Sequence, residues 1–253
     1  MTKLNETVRT LKEKEVYELN AQHEWKDYRF PQLLDALYEY WCDYRFWTRI
    51  KQAVPFQRPR HVLDVGCGVV SVLNVMRRDF PHLALTGVDP LMDEFQRMYD
   101  IDQSIAWKRE YLESLDLPAG EFDVVCCTNA LDHVEDVGAA FREIRRVISP
   151  RGVFLLTLDV FAKETYRNEG HPYSFTRNSL LTLLQQHGFR IDWVRLSRRK
   201  IGVMNYANYR IRQGMSRMAV YLQKSVREQA RSYAKQLVGR GALGELIITA
   251  QAV

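Results

Sequence analysis

The chain of 253 residues has few cysteines and no long apolar segment, and both absences restrict its class. The four cysteines are Cys42, Cys67 and the adjacent pair Cys126 and Cys127. Because neighbouring residues of a strand point to opposite faces, the adjacent pair suits neither a disulfide nor a metal site. No apolar run reaches about 18 residues, which argues against a membrane-spanning helix. The polar first 15 residues are also unlike a secretory or transit peptide. We therefore expect a reducing, cytoplasmic location.

A third glycine is missing from the most informative motif of the chain. The run Val62–Gly68 (VLDVGCG) predicts a buried strand that ends in a Gly-x-Gly turn, with a helix over Val69–Phe80. Such a turn brings backbone N–H groups close to a ligand, and a side chain at Gly66 or Gly68 would hold the ligand away. The dinucleotide fingerprint needs a further glycine where this chain has Ser71, so a bound dinucleotide is disfavoured.

Two acids accompany this turn. Asp64 lies just before it, where a carboxylate would repel a diphosphate but attract a sulfonium or an amino group. A second predicted strand ends at Asp89, 25 positions after Asp64. A carboxylate there can accept both hydroxyls of a ribose. The pattern favours a nucleoside that carries positive charge.

These residues open a series of motifs that resembles the class I S-adenosylmethionine (SAM) dependent methyltransferases. The series covers residues 60 to 160 and runs, in order, through Val62–Gly68, Gly87–Pro90, Phe122–Cys127, Leu131–Asp136 and Arg142–Gly152. The resemblance implies that the cofactor is SAM and that the product is S-adenosylhomocysteine. It also implies a SAM-dependent enzyme.

The expected fold class is α/β, a doubly wound, Rossmann-like sheet. Strands predicted near 61–65, 83–88, 104–108, 122–127 and 152–158 alternate with helices, which indicates a mostly parallel sheet. A helix over 178–187 and strands over 189–194 and 245–250 follow, and the family places the seventh and last strand antiparallel. Residues 1–54 are predicted as an aromatic-rich helical cover. Residues 55–253 then form the SAM-binding domain, with a helical lid insertion over 199–243 between the last two strands.

The resemblance also assigns cofactor contacts. The glycine-turn residues would surround the amino-acid part of SAM, Asp89 would hold the ribose, and other residues would meet the adenine or the methionine moiety. The predicted set is Asp64, Gly66, Cys67, Gly68, Asp89, Pro90, Leu91, Tyr111, Leu112, Glu113, Asn129, Ala130 and Leu131. For Asp89 a simpler alternative is a helix N-cap at the end of the strand.

His133 is the predicted catalytic residue. It follows the strand that ends at Thr128, and an imidazole can accept the proton of an attacking hydroxyl near neutral pH. An alternative is that His133 only orders its loop by hydrogen bonding. Asp132 and Asp159 could hold a divalent cation, as in some sugar methyltransferases, but nothing in their spacing requires it. We predict no metal.

Acceptor contacts are predicted in two segments. In the segment His171–Thr176 (HPYSFT), similar to one in methyltransferases acting on sugars and other small metabolites, His171 and Tyr173 could reach the acceptor, while Thr176 or Asn178 could cap the next helix. Near the N-terminus, aromatic rings suit a sugar or a ring-shaped acceptor, although they could equally be core. The N-terminal candidates are Trp25, Tyr28 and Tyr40.

The charge of the chain is unevenly distributed. Residues 195–240 carry 12 Lys or Arg against the single acid Glu228, a net charge of +11, which leaves −6 for the remainder of a chain whose total is +5. Within this segment apolar residues recur every three or four positions, as in an amphipathic helix. It could be a solvated lid, a contact for anionic lipid headgroups or a diphosphate-bearing acceptor, or, least favoured, an RNA contact.

The sequence thus predicts a SAM-dependent methyltransferase that acts on a small-molecule or glycan acceptor, preferably at oxygen. Alternatives are a lipid-linked or other anionic acceptor, with RNA the least favoured, or a catalytically silent protein that uses the SAM-binding fold for partner contact. An oxidoreductase that uses a nicotinamide cofactor is a further rival.

Overall fold

The computed structural model describes residues 12–21, 46–54, 56–58, 61–164, 170–197 and 242–253. Within them, helices and strands alternate along most of the chain. The helices are α1 (Glu13–Ala21), α2 (Phe46–Ala53), α3 (Leu73–Asp79), α4 (Met92–Met98), α5 (Val137–Val147) and α6 (Arg177–Gln186). The strands are β1 (His61–Val65), β2 (Ala84–Val88), β3 (Ala106–Lys108), β4 (Phe122–Thr128), β5 (Ile148–Phe161), β6 (Phe189–Ser197) and β7 (Ala242–Ala252). A 3₁₀ turn, Leu131–His133, follows β4.

In this described part of the chain, the strands form one seven-stranded sheet in the order β3-β2-β1-β4-β5-β7-β6. The pairs from β3 to β5 are parallel, and β7 pairs antiparallel with both β5 and β6. The order reverses beside β1, because β2 lies on one side of it and β4 on the other. The prediction of a doubly wound sheet with an antiparallel last strand is confirmed.

Strands β1 and β4 are central and buried on both faces, which is why their sequences read as continuous apolar runs. Their side chains alternate between two core clusters, one on each face of the sheet. Cys126 packs with Val62 and Val124 on one face, and Cys127 packs with Leu63 on the other. Cysteines that point to opposite faces cannot pair, as expected.

The predicted helix over Val69–Phe80 begins too early. In the structure α3 begins at Leu73. The hydroxyl of Ser71 accepts a hydrogen bond from the Leu73 amide at 3.1 Å and donates to Asp64 Oδ2 at 2.7 Å. This local bonding keeps residues 69–71 out of the helix and leaves them as part of the turn.

Two N-terminal segments are helical and both contact the sheet domain. Helix α2 places Trp47 and Ile50 in the core, and the Trp47 indole N–H donates to Asp79 of α3 at 2.6 Å. The residues predicted as acceptor-pocket wall (Trp25, Tyr28 and Tyr40), Cys42 and the insertion over 199–241 lie outside the described residues. None of the helices that the structure describes is long and apolar enough to cross a bilayer.

Candidate active site

The carboxyl ends of the central strands meet at one edge of the sheet, where ligands of such folds bind. The glycine turn after β1 has a left-handed backbone at Gly66 (φ +63°) and Gly68 (φ +52°). A Cβ on Gly66 would lie 2.4 Å from the Cβ of Ala130, which follows β4. The turn is thus packed so closely against the β4 loop that only glycine fits at position 66.

Asp89, at the end of β2, is held by two backbone amides. Its Oδ2 accepts from the Gly68 amide and its Oδ1 from the Leu91 amide, both at 2.9 Å. Burial raises its pKa to about 6, although these two bonds oppose the shift. The bond to Leu91 closes a turn two residues long, and the N-cap of α4 is Leu91 itself, so Asp89 does not cap that helix. A carboxylate has about four acceptor positions, so two stay free for ribose hydroxyls.

Asp64 is fully buried on β1. Its Oδ2 accepts from the Ser71 hydroxyl, but its Oδ1 has no hydrogen-bond partner among the residues described. Burial raises its pKa to about 7, against the effect of the Ser71 bond. An unpartnered acceptor of this kind fits a cationic group nearby. The glycine cradle and the two acids therefore fit a nucleoside with a positive charge, as SAM has.

The other residues predicted to contact the cofactor differ in how deeply their side chains are buried. Leu91 and Cys67 pack together in a small core cluster behind the turn, and Pro90 is half-buried. Leu112 is buried in the main core, and Glu113 Oε1 accepts from the Glu135 amide at 2.6 Å. Their roles at the adenine stay predictions.

The loop after β4 is conformationally unusual. Asn129 has φ +54°, a left-handed conformation that asparagine tolerates better than most residues. The backbone N–H of Asn129 donates to the Thr157 carbonyl of β5 at 2.8 Å. After Asn129 the chain reverses direction, which places Ala130 against Gly66. The buried Leu131 then begins the 3₁₀ turn. Backbone strain of this kind is common at functional sites.

His133 lies at the end of this turn in a cluster of titratable side chains. Its Nδ1 is 3.0 Å from Glu18 Oε1 of α1, and its Nε2 is 3.8 Å from Asp132 Oδ1. The ring of His171 lies against it, with centroids 4.2 Å apart, and His171 Nε2 is 3.8 Å from Asp132 Oδ2. The structure thus brings together His133 and His171, two predicted site residues from separate segments.

The two histidines have opposite pKa shifts. Burial alone would lower the pKa of His133, but the contact with Glu18 and the charge of Asp132 outweigh it and raise that pKa. Burial and the neighbouring His133 lower the pKa of His171. Burial raises the pKa of Asp132 to about 6, with His133 opposing the shift. The opposite shifts make His133 the more basic of the two imidazoles.

Helix α1 closes this edge through residues that sequence reasoning did not single out. Glu15 Oε1 accepts from the Tyr111 hydroxyl at 2.6 Å, and Glu18 reaches His133. Tyr17 lies edge-on to His171 and packs on Gly170, where a Cβ would be 2.5 Å from its ring. No sequence motif marks these contacts, because they depend on where α1 docks.

Tyr173 and Thr176 follow His171 in the loop before α6. The Tyr173 hydroxyl donates to the Glu135 carbonyl at 2.8 Å. Thr176 is the N-cap of α6, and its side chain and that of Ser179 form a reciprocal capping box. Of the two capping candidates, Thr176 therefore performs this role.

A sheet whose order reverses beside β1, with a glycine turn and an acid at the switch point, defines the class of nucleoside-binding doubly wound α/β proteins. Residues 38–193 match the family model described as a methyltransferase domain, which is more than half of the chain. The chain belongs to this family, the class I SAM-dependent methyltransferases, which confirms the resemblance drawn from its motifs.

Individual similarities are more distant. A demethylmenaquinone methyltransferase of Thermotoga maritima is 26% identical over 147 residues, which cover 56% of this chain and 62% of that protein. A ubiquinone biosynthesis O-methyltransferase of Xanthomonas oryzae pv. oryzae is 32% identical over 102 residues, or 39% of this chain and 43% of that one. The chain thus spans about half the length of the curated relatives it matches.

Among solved structures, the [4+2]-cyclase SpnF has the same fold, with a TM-score of 0.60 and 20% identity. The match covers 83% of this chain and 80% of that one. At this identity the likeness shows the fold alone.

Proposed function

We propose that the protein transfers a methyl group from SAM to a hydroxyl oxygen of a small-molecule or glycan acceptor, with His133 as the base. The observation that carries the proposal is the imidazole of His133 at the carboxyl end of β4, 3.0 Å from the Glu18 carboxylate.

SAM, when bound, supplies a methyl group that is already activated on a sulfonium. The chain has to align an acceptor oxygen with that carbon and to receive the hydroxyl proton. His133 accepts this proton on a ring nitrogen, and Glu18 and Asp132 stabilise the imidazolium that results. The same stabilisation raises the pKa of His133, so the base is available only at pH values above that raised pKa.

The proposed cofactor contacts follow the sequence interpretation. The glycine turn and Asp64 would hold the amino-acid part of SAM, and Asp89 would accept the ribose hydroxyls. His171 and Tyr173 would face the acceptor, together with the aromatic residues Trp25, Tyr28 and Tyr40 outside the described part of the chain. Residues 1–54 would act as a cover over the domain 55–253.

The kind of acceptor is supported by the names of the relatives. Both curated relatives are named for quinone substrates or quinone biosynthesis, and one is named an O-methyltransferase. Both names favour a small molecule, and the second favours oxygen as the methylated atom. A lipid-linked or anionic acceptor that meets the basic 199–243 insertion is the alternative, and RNA is the least favoured one.

A second candidate is a protein that uses the fold without methyl transfer. The [4+2]-cyclase of similar fold is the observation that favours this candidate, because a fold does not fix a reaction.

For the cellular location of the protein we propose a reducing cytoplasm. In the part of the chain that the structure describes, the three cysteines are buried and free.

Calorimetry with SAM and S-adenosylhomocysteine tests the first step. We expect binding in the micromolar range, and the absence of heat would favour the silent candidate. Labelled SAM, incubated with the protein and cell extract, would then identify the acceptor by mass spectrometry.

The role of His133 has its own test. His133→Ala should keep SAM affinity and lower turnover by about 10²–10⁴-fold, the usual contribution of a general base. His61→Ala is the matched control, since His61 also lies beside a carboxylate, Glu121 at 3.5 Å, but at the opposite edge of the sheet. Unchanged turnover in His133→Ala would leave His133 as a loop-ordering residue.

A further inference from the structure

The cluster at the end of β4 contains three side chains of metal-binding types, one aspartate and two histidines, at close range. One ligand atom each from Asp132, His133 and His171 lies within 4.8 Å of the other two. The carboxylate of Asp132 lies near both imidazoles. Its Oδ1 is 3.8 Å from His133 Nε2, and its Oδ2 is 3.8 Å from His171 Nε2. Two nitrogen donors and one oxygen donor therefore converge on a common point.

Although the sequence predicts no metal, we propose from this geometry that Asp132, His133 and His171 bind a divalent first-row transition metal, Zn²⁺ by preference. Two imidazoles and one carboxylate are the ligand set of many catalytic zinc sites, which keep a fourth position open. For tetrahedral Zn²⁺ with bonds near 2.1 Å, ligand atoms are about 3.4 Å apart. In the structure the three ligand atoms lie within 4.8 Å of one another, so the side chains would have to close by up to about 1.4 Å to reach this spacing.

A second observation points to a ligand at the same place. Asp132 is buried, with only 6% of its surface exposed, and its Oδ1 has no hydrogen-bond partner among the described residues. A buried carboxylate oxygen without a partner is costly. The neighbouring carboxylates of Asp159 and Glu18 add negative potential at Asp132. A cation between Asp132 and the two imidazoles would supply the missing partner.

Glu18 completes the arrangement from helix α1. Metal-binding histidines usually direct the second ring nitrogen to a carboxylate, which fixes the orientation of the ring. His133 approaches this arrangement, because Nδ1 lies 3.0 Å from Glu18 Oε1, although off the direction of a hydrogen bond, while Nε2 lies on the side of Asp132. Glu18 is therefore a positioning residue for the metal ligand, and α1 brings it there.

The metal would give the proposed methyl transfer a different way to remove the proton, and to this extent the inference depends on the proposed function. His133 would act as the base only in the metal-free chain, because with the metal bound the lone pair of His133 Nε2 is used in coordination. A hydroxyl in the open position loses its proton more readily to water, because the cation stabilises the oxyanion. The oxygen then bonds to the methyl carbon as the carbon–sulfur bond breaks, and sulfur keeps the electron pair.

Equilibrium dialysis of the full chain, prepared without a histidine tag and stripped with a chelator, tests the site directly. We expect one equivalent of Zn²⁺ per chain. Co²⁺ should replace it and give the visible absorption bands of a four-coordinate ion.

Three variants should report on the ligands, with folding checked by circular dichroism. His171→Ala and Asp132→Asn should lose the tightly bound equivalent, with affinity lower by about 100-fold or more. Glu18→Gln should keep the stoichiometry and bind about 10–100-fold more weakly, as for other positioning partners of metal ligands. The control His61→Ala should bind like the wild type.

The proposal is overturned if the stripped protein binds much less than one equivalent, or if His171→Ala binds Zn²⁺ like the wild type. It is also overturned if the variants fold but the control loses the metal equally. None of these outcomes depends on methyl transfer. Failure of the proposed function would instead appear as absent SAM binding or absent turnover with and without Zn²⁺.

Discussion

At the scale of single residues, Gly66 shows how one missing side chain shapes the proposed cofactor site. Its left-handed φ of +63° strains any other residue, and a Cβ would also clash with Ala130 at 2.4 Å. Gly120 provides a rare comparison, because it has nearly the same φ, +69°, and a Cβ there would have no neighbouring atom within 4 Å. The pair therefore separates backbone strain from steric contact.

We predict that Gly120→Ala lowers the free energy of unfolding by about 1–2 kcal/mol through backbone strain alone. Gly66→Ala should cost more than this, because the clash adds overpacking of about 1–3 kcal/mol. It should also weaken SAM binding, which Gly120→Ala should not. Urea unfolding and calorimetry measure the two effects, and equal losses of stability in both variants would contradict the packing argument.

Asp64 gives a prediction about pH. Burial raises its pKa from 3.8 in the unfolded chain to about 7 in the folded one. Between these values the folded state binds more protons, so stability falls as the pH rises from about 4 to 7. This loss reaches up to about 4 kcal/mol for a shift of this size.

Asp64→Asn should remove that pH dependence. The variant should gain stability relative to the wild type as the pH rises from about 4 to about 7, and it should bind SAM more weakly at every pH. Asp123→Asn is the control, since Asp123 accepts from the His61 amide at the opposite edge of the sheet. Parallel pH profiles for wild type and Asp64→Asn, measured by urea unfolding, would show that Asp64 is not the cause.

At the scale of elements, several of the contacts that hold helix α1 to the sheet domain are polar. The Tyr111 hydroxyl donates to Glu15, which is only 3% exposed, while Lys12 and Glu18 reach Glu135 and His133. Two of its larger apolar side chains, Val16 and Tyr17, are 44% exposed. Loss of one buried hydrogen bond should therefore release α1 locally without unfolding the domain.

We predict that Tyr111→Phe speeds hydrogen exchange of the α1 amides by about 5–150-fold. This corresponds to the roughly 1–3 kcal/mol that an unsatisfied buried acceptor costs. The α6 amides should be unaffected and serve as an internal reference. Tyr173→Phe is the matched variant, because its hydroxyl donates to the Glu135 carbonyl instead of α1. Unchanged α1 exchange in Tyr111→Phe would mean that other contacts hold the helix.

The elements also show what the sequence could predict. Strands β1, β2 and β4 were placed within one residue, because central parallel strands are continuous apolar runs and end at acids or polar turns. The start of α3 was predicted too early, since the bond between Ser71 and Asp64 is a side-chain effect with no periodic signal. Glu15 and Glu18 were missed for a related reason. Their partners, Tyr111 and His133, are about a hundred residues away along the chain, and only docking of α1 brings them together.

At the scale of the whole molecule, the site joins segments that are distant in the chain. The glycine turn is bonded to β2 through Asp89 and packed on the β4 loop through Ala130, while His171 arrives from the loop before α6. A ligand bound at this edge therefore contacts residues at the ends of β1, β2 and β4 at the same time. Because such a ligand binds the folded chain and not the unfolded one, it stabilises the fold as a whole.

We predict that SAM at about 100 times its Kd stabilises the chain by about 2.7 kcal/mol. For a chain of this length this raises Tm by roughly 5–11 °C. Asp89→Asn should reduce the shift at the same SAM concentration to half or less, because an amide can accept from only one of the Gly68 and Leu91 amides and carries no charge for the ribose hydroxyls. Asp123→Asn, at the opposite edge, should keep the full shift. A full SAM shift in Asp89→Asn, recorded by differential scanning calorimetry, would mean that the ribose is held elsewhere and that the acid at the end of β2 serves only to bind the glycine turn.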